Sequence, residues 1–295
     1  MSSKESMLNK KSKKREKVVE QSIEGEIPPR AEGKAPYTIL KTRLAKVFHP
    51  KVMGTIWLFV IWEIASLVTP ENLFPNPYVV FQAVIFGVIL REGFLFHVRM
   101  TVLRIIIGFC ISFSIGMSIG VLMGAKRFWE EFFTDYVIIG LTIPSLAWAV
   151  IGVLWLGLRP LTPVFATAMI VFPYVAINFW EGVKDVDKDL VDMGRAFDVS
   201  KRRIIRHIYI PSILPFTLAA ARIGFSISWK IVIVGEVFGA SNGIGYMIYY
   251  WYNMFSMRLV LAWLLFFTVV MLLVEYSIFK RLERRLLAWR PQAIL

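Results

Sequence analysis

TVLRIIIGFCISFSIGMSIGVLMG, residues 101–124, carries one charged side chain, Arg104, in 24 positions. About 20 apolar residues carry a helix across the hydrocarbon core of a bilayer, so this stretch is read as a transmembrane helix. Five more stretches qualify on the same grounds: Val52–Val68, Asp135–Leu158, Thr162–Trp180, Pro215–Phe238 and Leu259–Phe279. A seventh apolar run, Tyr78–Leu90, stops after about 13 residues at Arg91-Glu92-Gly93 and is too short to span. It is expected to form an interfacial or packed helix, capped by Asn76 with Pro77 in its first turn. The fold class is therefore all-α integral membrane protein with about six transmembrane helices.

Composition agrees with this reading. Hydrophobic residues make up 57% of the 295, and the mean hydropathy is +0.60, above the apolar content of soluble domains. The excess is unevenly placed. Residues 1–36 form a basic tail in which Lys10, Lys11, Lys13, Lys14, Arg15 and Lys17 have almost no apolar partners, so disorder and weak attraction to anionic lipid are expected. Residues 37–51 place Leu40, Leu44, Val47 and Phe48 on one helical face, which predicts an amphipathic helix on the inner surface. The membrane domain then occupies 52–280, and 281–295 form a basic C-terminus. The first 36 residues contain no apolar core of the length a secretory signal needs. One cysteine, Cys110, rules out an intramolecular disulfide.

Charge orients the spans. Lys and Arg number 13 before the first span, 2 at Lys126 and Arg127, 7 between Lys184 and Arg206 and 5 from Lys280 to Arg290. The opposite loops hold only Arg91, Arg99, Arg159 and Arg258. Positive loops stay inside, so both termini are expected in the cytoplasm of a multi-pass protein. The net charge of +13 belongs to this flanking pattern and does not point to nucleic acid.

The cytoplasmic segment 181–215 reads as two short helices. The first covers about Lys188–Phe197, with Leu190, Gly194 and Phe197 on one side, and Ser200 caps a second from Lys201. Interfacial helices would have the same pattern. The spacing, however, resembles the cytoplasmic signature E-A-A-x3-G-x9-I-x-L-P of permease subunits of bacterial binding-protein-dependent ABC importers. Asp192, Met193 and Gly194 stand where Glu, Ala and Ala are expected, Asp198 at the glycine, and Ile208, Ile210 and Pro211 complete the frame. Asp tolerates the left-handed conformation that glycine would supply at 198.

The resemblance runs over about Leu73–Arg290 and is nearest the nitrate, sulfonate and taurine group. It is carried by Ile143-Pro144-Ser145-Leu146-Ala147-Trp148, Leu154–Gly157, Phe172-Pro173, Gly239–Tyr246 and Leu282–Leu287. The long tail before Pro36 is unusual for that group. The resemblance implies a type I importer permease in the bacterial inner membrane. It would work as a homodimer with two ATP-binding subunits and an extracytoplasmic solute-binding protein, with 181–211 as the ATPase-coupling segment and 192–211 as the signature frame within it. It implies a small anion as substrate, such as nitrate, a sulfonate, taurine or bicarbonate, although similar permeases also carry aromatic acids and vitamin precursors. ATP and Mg would be bound by the partner ATPase, and no cofactor by this chain, which lacks a G-x4-G-K-[ST] loop.

Polar groups inside spans are functional candidates because isolated charge in hydrocarbon is costly. At 100° per residue Arg222, Ser226, Trp229, Ile233 and Glu236 form one stripe on the fifth span, with Lys230 outside it. That stripe is expected to line a pathway or a subunit interface, or to pair with a neighbouring helix. Glu63 and Glu275 occur singly and are expected in interhelical hydrogen bonds. Gly239, Gly243 and Gly245, with Ser241 and Asn242 between them, interrupt apolar sequence and form an outer-gate candidate, to which Pro144 and Trp148 are added from the resemblance. The competing classes are a self-sufficient secondary carrier or channel and a membrane-embedded enzyme. The first would need internal repeats or a filter, and neither is found. The second would need a site built from His49, His97 or His207, none of which lies in an expected span.

Overall fold

The structure is a computed structural model that describes residues 50–279 and 281. The basic tail, the amphipathic helix expected before residue 50 and the segment Leu282–Leu287 lie outside them. The chain divides into two units, Met1–Val60 and Ile61–Leu295. The division falls within α1 (Pro50–Val68), the helix over the first expected span.

All regular secondary structure among the described residues of the second unit is helical. After α1 come α2 (Pro77–Ala83, continuing as a π turn over Val84–Ile89), α3 (Phe94–Ala125), α4 (Arg127–Thr142), α5 (Ser145–Leu156) and α6 (Leu161–Lys184). Then follow α7 (Lys188–Ala196), α8 (Lys201–Ile204), a π turn over Ile205–Tyr209, α9 (Ile210–Gly239), α10 (Ile244–Asn253) and α11 (Met257–Val274, with a π turn Glu275–Phe279). As expected, α2 begins with Asn76 accepting a hydrogen bond from the Val79 N–H at 2.9 Å and Pro77 in the first turn. Trp62 Nε1 donates to the Pro75 carbonyl at 3.1 Å and holds the preceding turn.

Among the described residues four helices are long and apolar enough to cross a membrane: Phe94–Ala125, Leu161–Lys184, Lys201–Gly239 and Met257–Ser277. The third expected span, Asp135–Leu158, is not one straight helix. It is the pair α4 and α5, bent by 97°. Pro144 has no N–H to continue the ladder and forces the residue before it out of the helical region, so Ile143 is extended at φ −67° and ψ 124°. Counted as one span, the pair brings the number to five, and Val52–Val68 is apolar but shorter than the other spans.

The second correction concerns the cytoplasmic helices. The helix starting at Lys201 is not a separate short element but runs unbroken into the fifth span, 39 residues to Gly239. Pro211 lacks a donor and its ring would crowd the carbonyl of His207 in a regular helix. The π turn at Ile205–Tyr209 widens the backbone just before it, so the helix passes the proline.

The centre of the unit is α6 packed between α3 and α9. Gly108, Ser112, Gly116, Gly120 and Gly124 recur every four residues along one side of α3. A Cβ added at Gly116 or Gly120 would strike the backbone carbonyl of Phe172 or Ala176 on α6. Small residues at this spacing let two helices approach to backbone contact, which replaces hydrophobic burial as the packing force inside lipid. On α9 the residues packed inward are Ala220, Gly224, Ser228, Ile231, Val232, Gly235, Glu236 and Gly239.

Candidate functional site

At the end of α6 the chain turns at Asp187, whose side chain accepts from the Asp189 N–H at 2.9 Å and starts α7. Val191 and Gly194 face inward, and Val186, Val191 and Ile204 form a small core with Val199, Ile208, Tyr209 and Ile213. The packed face is thus Val191 and Gly194. Leu190 and Phe197, expected beside Gly194, are instead exposed, Phe197 by 78%. A Cβ at Gly194 would lie 3.3 Å from Ile204 Cγ1, so the two helices touch here through a missing side chain. Asp198 takes the left-handed conformation at φ 53°, as its position in the signature requires. The Val199 N–H then returns to the Gly194 carbonyl at 2.9 Å and the Phe197 N–H to the Met193 carbonyl at 3.1 Å, closing the end of α7. Asp192 pairs with Arg195 on the exposed side at 3.0 Å. Met193 and Ile210 are exposed, and Ile208 and Pro211 are half-buried.

The far end of the helix bundle holds a second cluster. Glu236, near the end of α9, is fully buried, and its Oε1 accepts from Arg104 Nη1 at 2.6 Å. Arg104 also donates to the Asn242 carbonyl at 2.7 Å and to Asn242 Oδ1 at 2.5 Å. Thr101 Oγ1 lies 2.9 Å from both oxygens of Glu236 and accepts from the Ile244 N–H at 2.8 Å. The Gly245 N–H donates to Glu236 Oε2 at 2.9 Å, and the Gly243 N–H to His97 Nδ1 at 3.1 Å. The buried N–H groups at the start of α10, which have no acceptor within the helix, are therefore satisfied by side chains of α3 and α9, a capping in trans that the local sequence does not supply.

Of the candidates in the Gly239–Gly245 segment, Asn242, Gly243 and Gly245 come together in this cluster, whereas Ser241 is exposed and Gly239 packs elsewhere. Gly243 sits at φ 114° with the space for a Cβ filled by the Glu236 carboxyl group, and Gly239 packs on Thr162. His97, Thr101 and Arg104 had no assigned place in the sequence reading. Arg104 was legible as a charge inside a span that demands a partner, and Glu236 as another. His97 was placed outside a span, but α3 begins seven residues earlier than expected, at Phe94, and includes it.

The five-residue stripe on α9 splits. Glu236 turns inward to Arg104, and Trp229 packs edge-on against Phe267 of α11 at 5.4 Å. Arg222 Nε donates to Glu275 Oε1 at 2.7 Å, and Ser226 Oγ lies 3.4 Å from Glu275 Oε2. Glu275 is thus bonded between helices, as expected of it. Pro144 lies exposed at the α4–α5 break, and Trp148 is buried against Phe165.

The family of binding-protein-dependent transport system inner membrane components matches residues 112–288. The chain belongs to that family. This permease is 30% identical over 253 residues to the putative aliphatic sulfonates transport permease protein SsuC of Escherichia coli (strain K12), covering 84% of this chain and 93% of that one. It is 30% identical over 239 residues to the formylaminopyrimidine transport permease protein ThiX of Halalkalibacterium halodurans, covering 80% and 94%. Other relatives are named as taurine and nitrate permeases, which bears out the group expected from the sequence. In fold, the permease is similar to a chain of the inward-facing MetNI methionine ABC transporter, with a TM-score of 0.57 and 19% identity over 65% of this chain and 95% of that one.

Proposed function

We propose that two copies of this permease form the membrane path of an ATP-driven importer for a small anion in the bacterial inner membrane. Two separate ATPase subunits, which bind ATP and Mg, drive it, and an extracytoplasmic solute-binding protein feeds it. Both termini and the α7–α8 segment face the cytoplasm, by the excess of Lys and Arg on that side. The Arg104–Glu236 cluster then lies toward the outside, where Gly239–Gly245 closes one end of the path. The anionic substrate is carried over from the sulfonate, taurine and nitrate relatives.

The observation that carries this reading is the contact of Gly194 with Ile204, below an exposed apolar surface of Leu190, Met193 and Phe197. Because Lys201–Gly239 is one continuous helix, a push on α7 reaches the fifth span without passing a flexible joint. The exposed residues offer the ATPase an apolar anchor, and the Asp198 turn fixes the angle at which they are presented.

Gly194→Leu forces a branched side chain against Ile204. It should reduce co-purification of the ATPase at least about tenfold, a loss of roughly 1.4 kcal/mol of assembly energy, and should abolish ATP-driven uptake in proteoliposomes. Asp198→Gly keeps the left-handed turn and should retain assembly and uptake. Normal assembly and uptake by Gly194→Leu would remove this segment as the coupling element. Uptake by the permease alone, without any ATPase, would return the chain to the class of secondary carriers. Uptake of formylaminopyrimidine in place of nitrate or ethanesulfonate would replace the anion by a pyrimidine.

A further inference from the structure

The face of α9 opposite its buried residues carries Arg222, Ser226 and Lys230, spaced one turn apart. Arg222 and Lys230 are exposed on the isolated chain and Ser226 is half-buried. Arg222 is joined to Glu275, so those two charges offset each other. Lys230 makes no ion pair among the described residues, and its ammonium lies 5.5 Å from the centroid of the Trp229 ring.

The depth of Lys230 follows from its neighbour. Trp229 packs on Phe267, and Phe267 is the middle residue of the apolar helix Met257–Ser277. Lys230 therefore stands near the middle of an apolar helix, about 15 Å from either edge of a hydrocarbon core about 30 Å thick, which is beyond the reach of its side chain by snorkelling. A lysine there facing lipid costs about 3 kcal/mol or more, whereas one facing a water-filled cavity keeps its hydration.

We propose that Lys230 faces the solute path near the membrane midplane and sets its selectivity for anions, with Arg222 and Glu275 as a neutral pair about two turns toward the cytoplasm. This deepens the anion-importer reading above and rests on it. A single uncompensated positive charge in a path flanked by apolar helix attracts a sulfonate or nitrate and repels a cation. Because Arg222 and Glu275 balance, Lys230 alone fixes the sign.

The test places a reporter between the charges. Ser226→Cys, combined with Cys110→Ser, puts one thiol a turn from Lys230 in the complete importer, reconstituted with its ATPase. Its reaction rates with a sulfonate-bearing and a trimethylammonium-bearing methanethiosulfonate are measured nucleotide-free and vanadate-trapped, each relative to the rate with a free thiol. In at least one state the anionic reagent should be favoured. Lys230→Gln should slow it and speed the cationic one by about threefold each, for a unit charge roughly 7 Å away in water, so that the ratio changes by close to a decade. Lys230→Arg should leave the ratio as it was, which separates charge from side-chain length and from folding. A thiol that neither reagent reaches in either state places this face against lipid or a second protomer and overturns the inference, as does a ratio that Lys230→Gln does not move. Uptake of ethanesulfonate and nitrate by the unmodified importer is read in parallel. If neither anion enters, the anion-importer reading fails and the selectivity role goes with it, whereas uptake with an unchanged reagent ratio fails Lys230 alone.

Discussion

Arg104→Met should destabilise the folded membrane domain by about 3–5 kcal/mol, because it leaves the Glu236 carboxylate buried without its cation. Glu236→Leu should cost a similar amount by stranding the guanidinium. In wild type Arg104 also holds Asn242 and Glu236 also accepts from the Gly245 N–H, so either loss also loosens the segment that leads into α10. The double variant Arg104→Met with Glu236→Leu should be less damaged than either single one, since no unpaired charge then remains in the interior. The measurement is the midpoint of irreversible aggregation in detergent, followed by size exclusion after heating, across the four proteins of the cycle. Additive losses in the double variant would show that the two side chains do not act as a pair. A fall in yield with turnover per folded complex retained is the expected pattern for Glu236, since this carboxylate is 0% exposed and committed to Arg104, Thr101 and Gly245.

Gly243→Ala should be nearly as severe, at about 3 kcal/mol, from two sources. The backbone at φ 114° and ψ 174° lies where L side chains are strained by about 1–3 kcal/mol. The new methyl would also occupy the position of the Glu236 carboxyl group. Gly157→Ala serves as the control, for Gly157 also has positive φ, 72°, but open space within 4 Å. At ψ −166° its backbone lies in the same glycine-favouring region as Gly243, so its loss should be limited to backbone strain of about 1–3 kcal/mol with no clash added. Equal melting temperatures for the two alanine variants would mean that Gly243 is needed for its φ alone and that the carboxylate can move aside.

Several features of this fold were legible because they depend on solvent rather than on partners. An apolar run of 20 residues crosses a bilayer wherever its neighbours lie, and a short run such as Tyr78–Leu90 does not. Asp198 was legible as a left-handed residue because the signature fixes a turn at that position and Asp tolerates it. Pro144 was quoted for its resemblance, yet its effect was missed. A window of apolar residues is blind to the 97° bend that one absent N–H and one restricted neighbour impose. The same window, in the opposite sense, separated Lys201 from the fifth span, because the basic residues after Ser200 end the apolar run, whereas a π turn before Pro211 absorbs the misfit and the helix continues.

The candidate site divides along the same line. Arg104, Glu236 and Glu275 each announced the need for a partner by being charged within apolar sequence. Which charges pair was beyond periodicity, because Arg104 and Glu236 are 132 positions apart and Arg222 and Glu275 are 53 apart. A helical wheel of α9 places Arg222, Ser226, Trp229 and Glu236 within one sector and Lys230 at its margin. Packing then decided differently: Glu236 and Trp229 were taken up by α3 and α11, and the side left uncovered by this chain is centred near Lys230.

By itself, then, the sequence determined the solvent of each segment, the family frame at 192–211 and the left-handed backbone at Asp198, since hydropathy, spacing and φ preference are local properties. Tertiary structure alone decided that α3 meets α6 through a four-residue glycine repeat, that Glu236 and Thr101 cap a helix belonging to neither, and that Lys230 rather than Glu236 is left facing outward. Those outcomes follow from backbones packed close enough to exclude water and lipid, where a buried charge or a free backbone N–H is stable only beside a partner, wherever in the chain that partner lies.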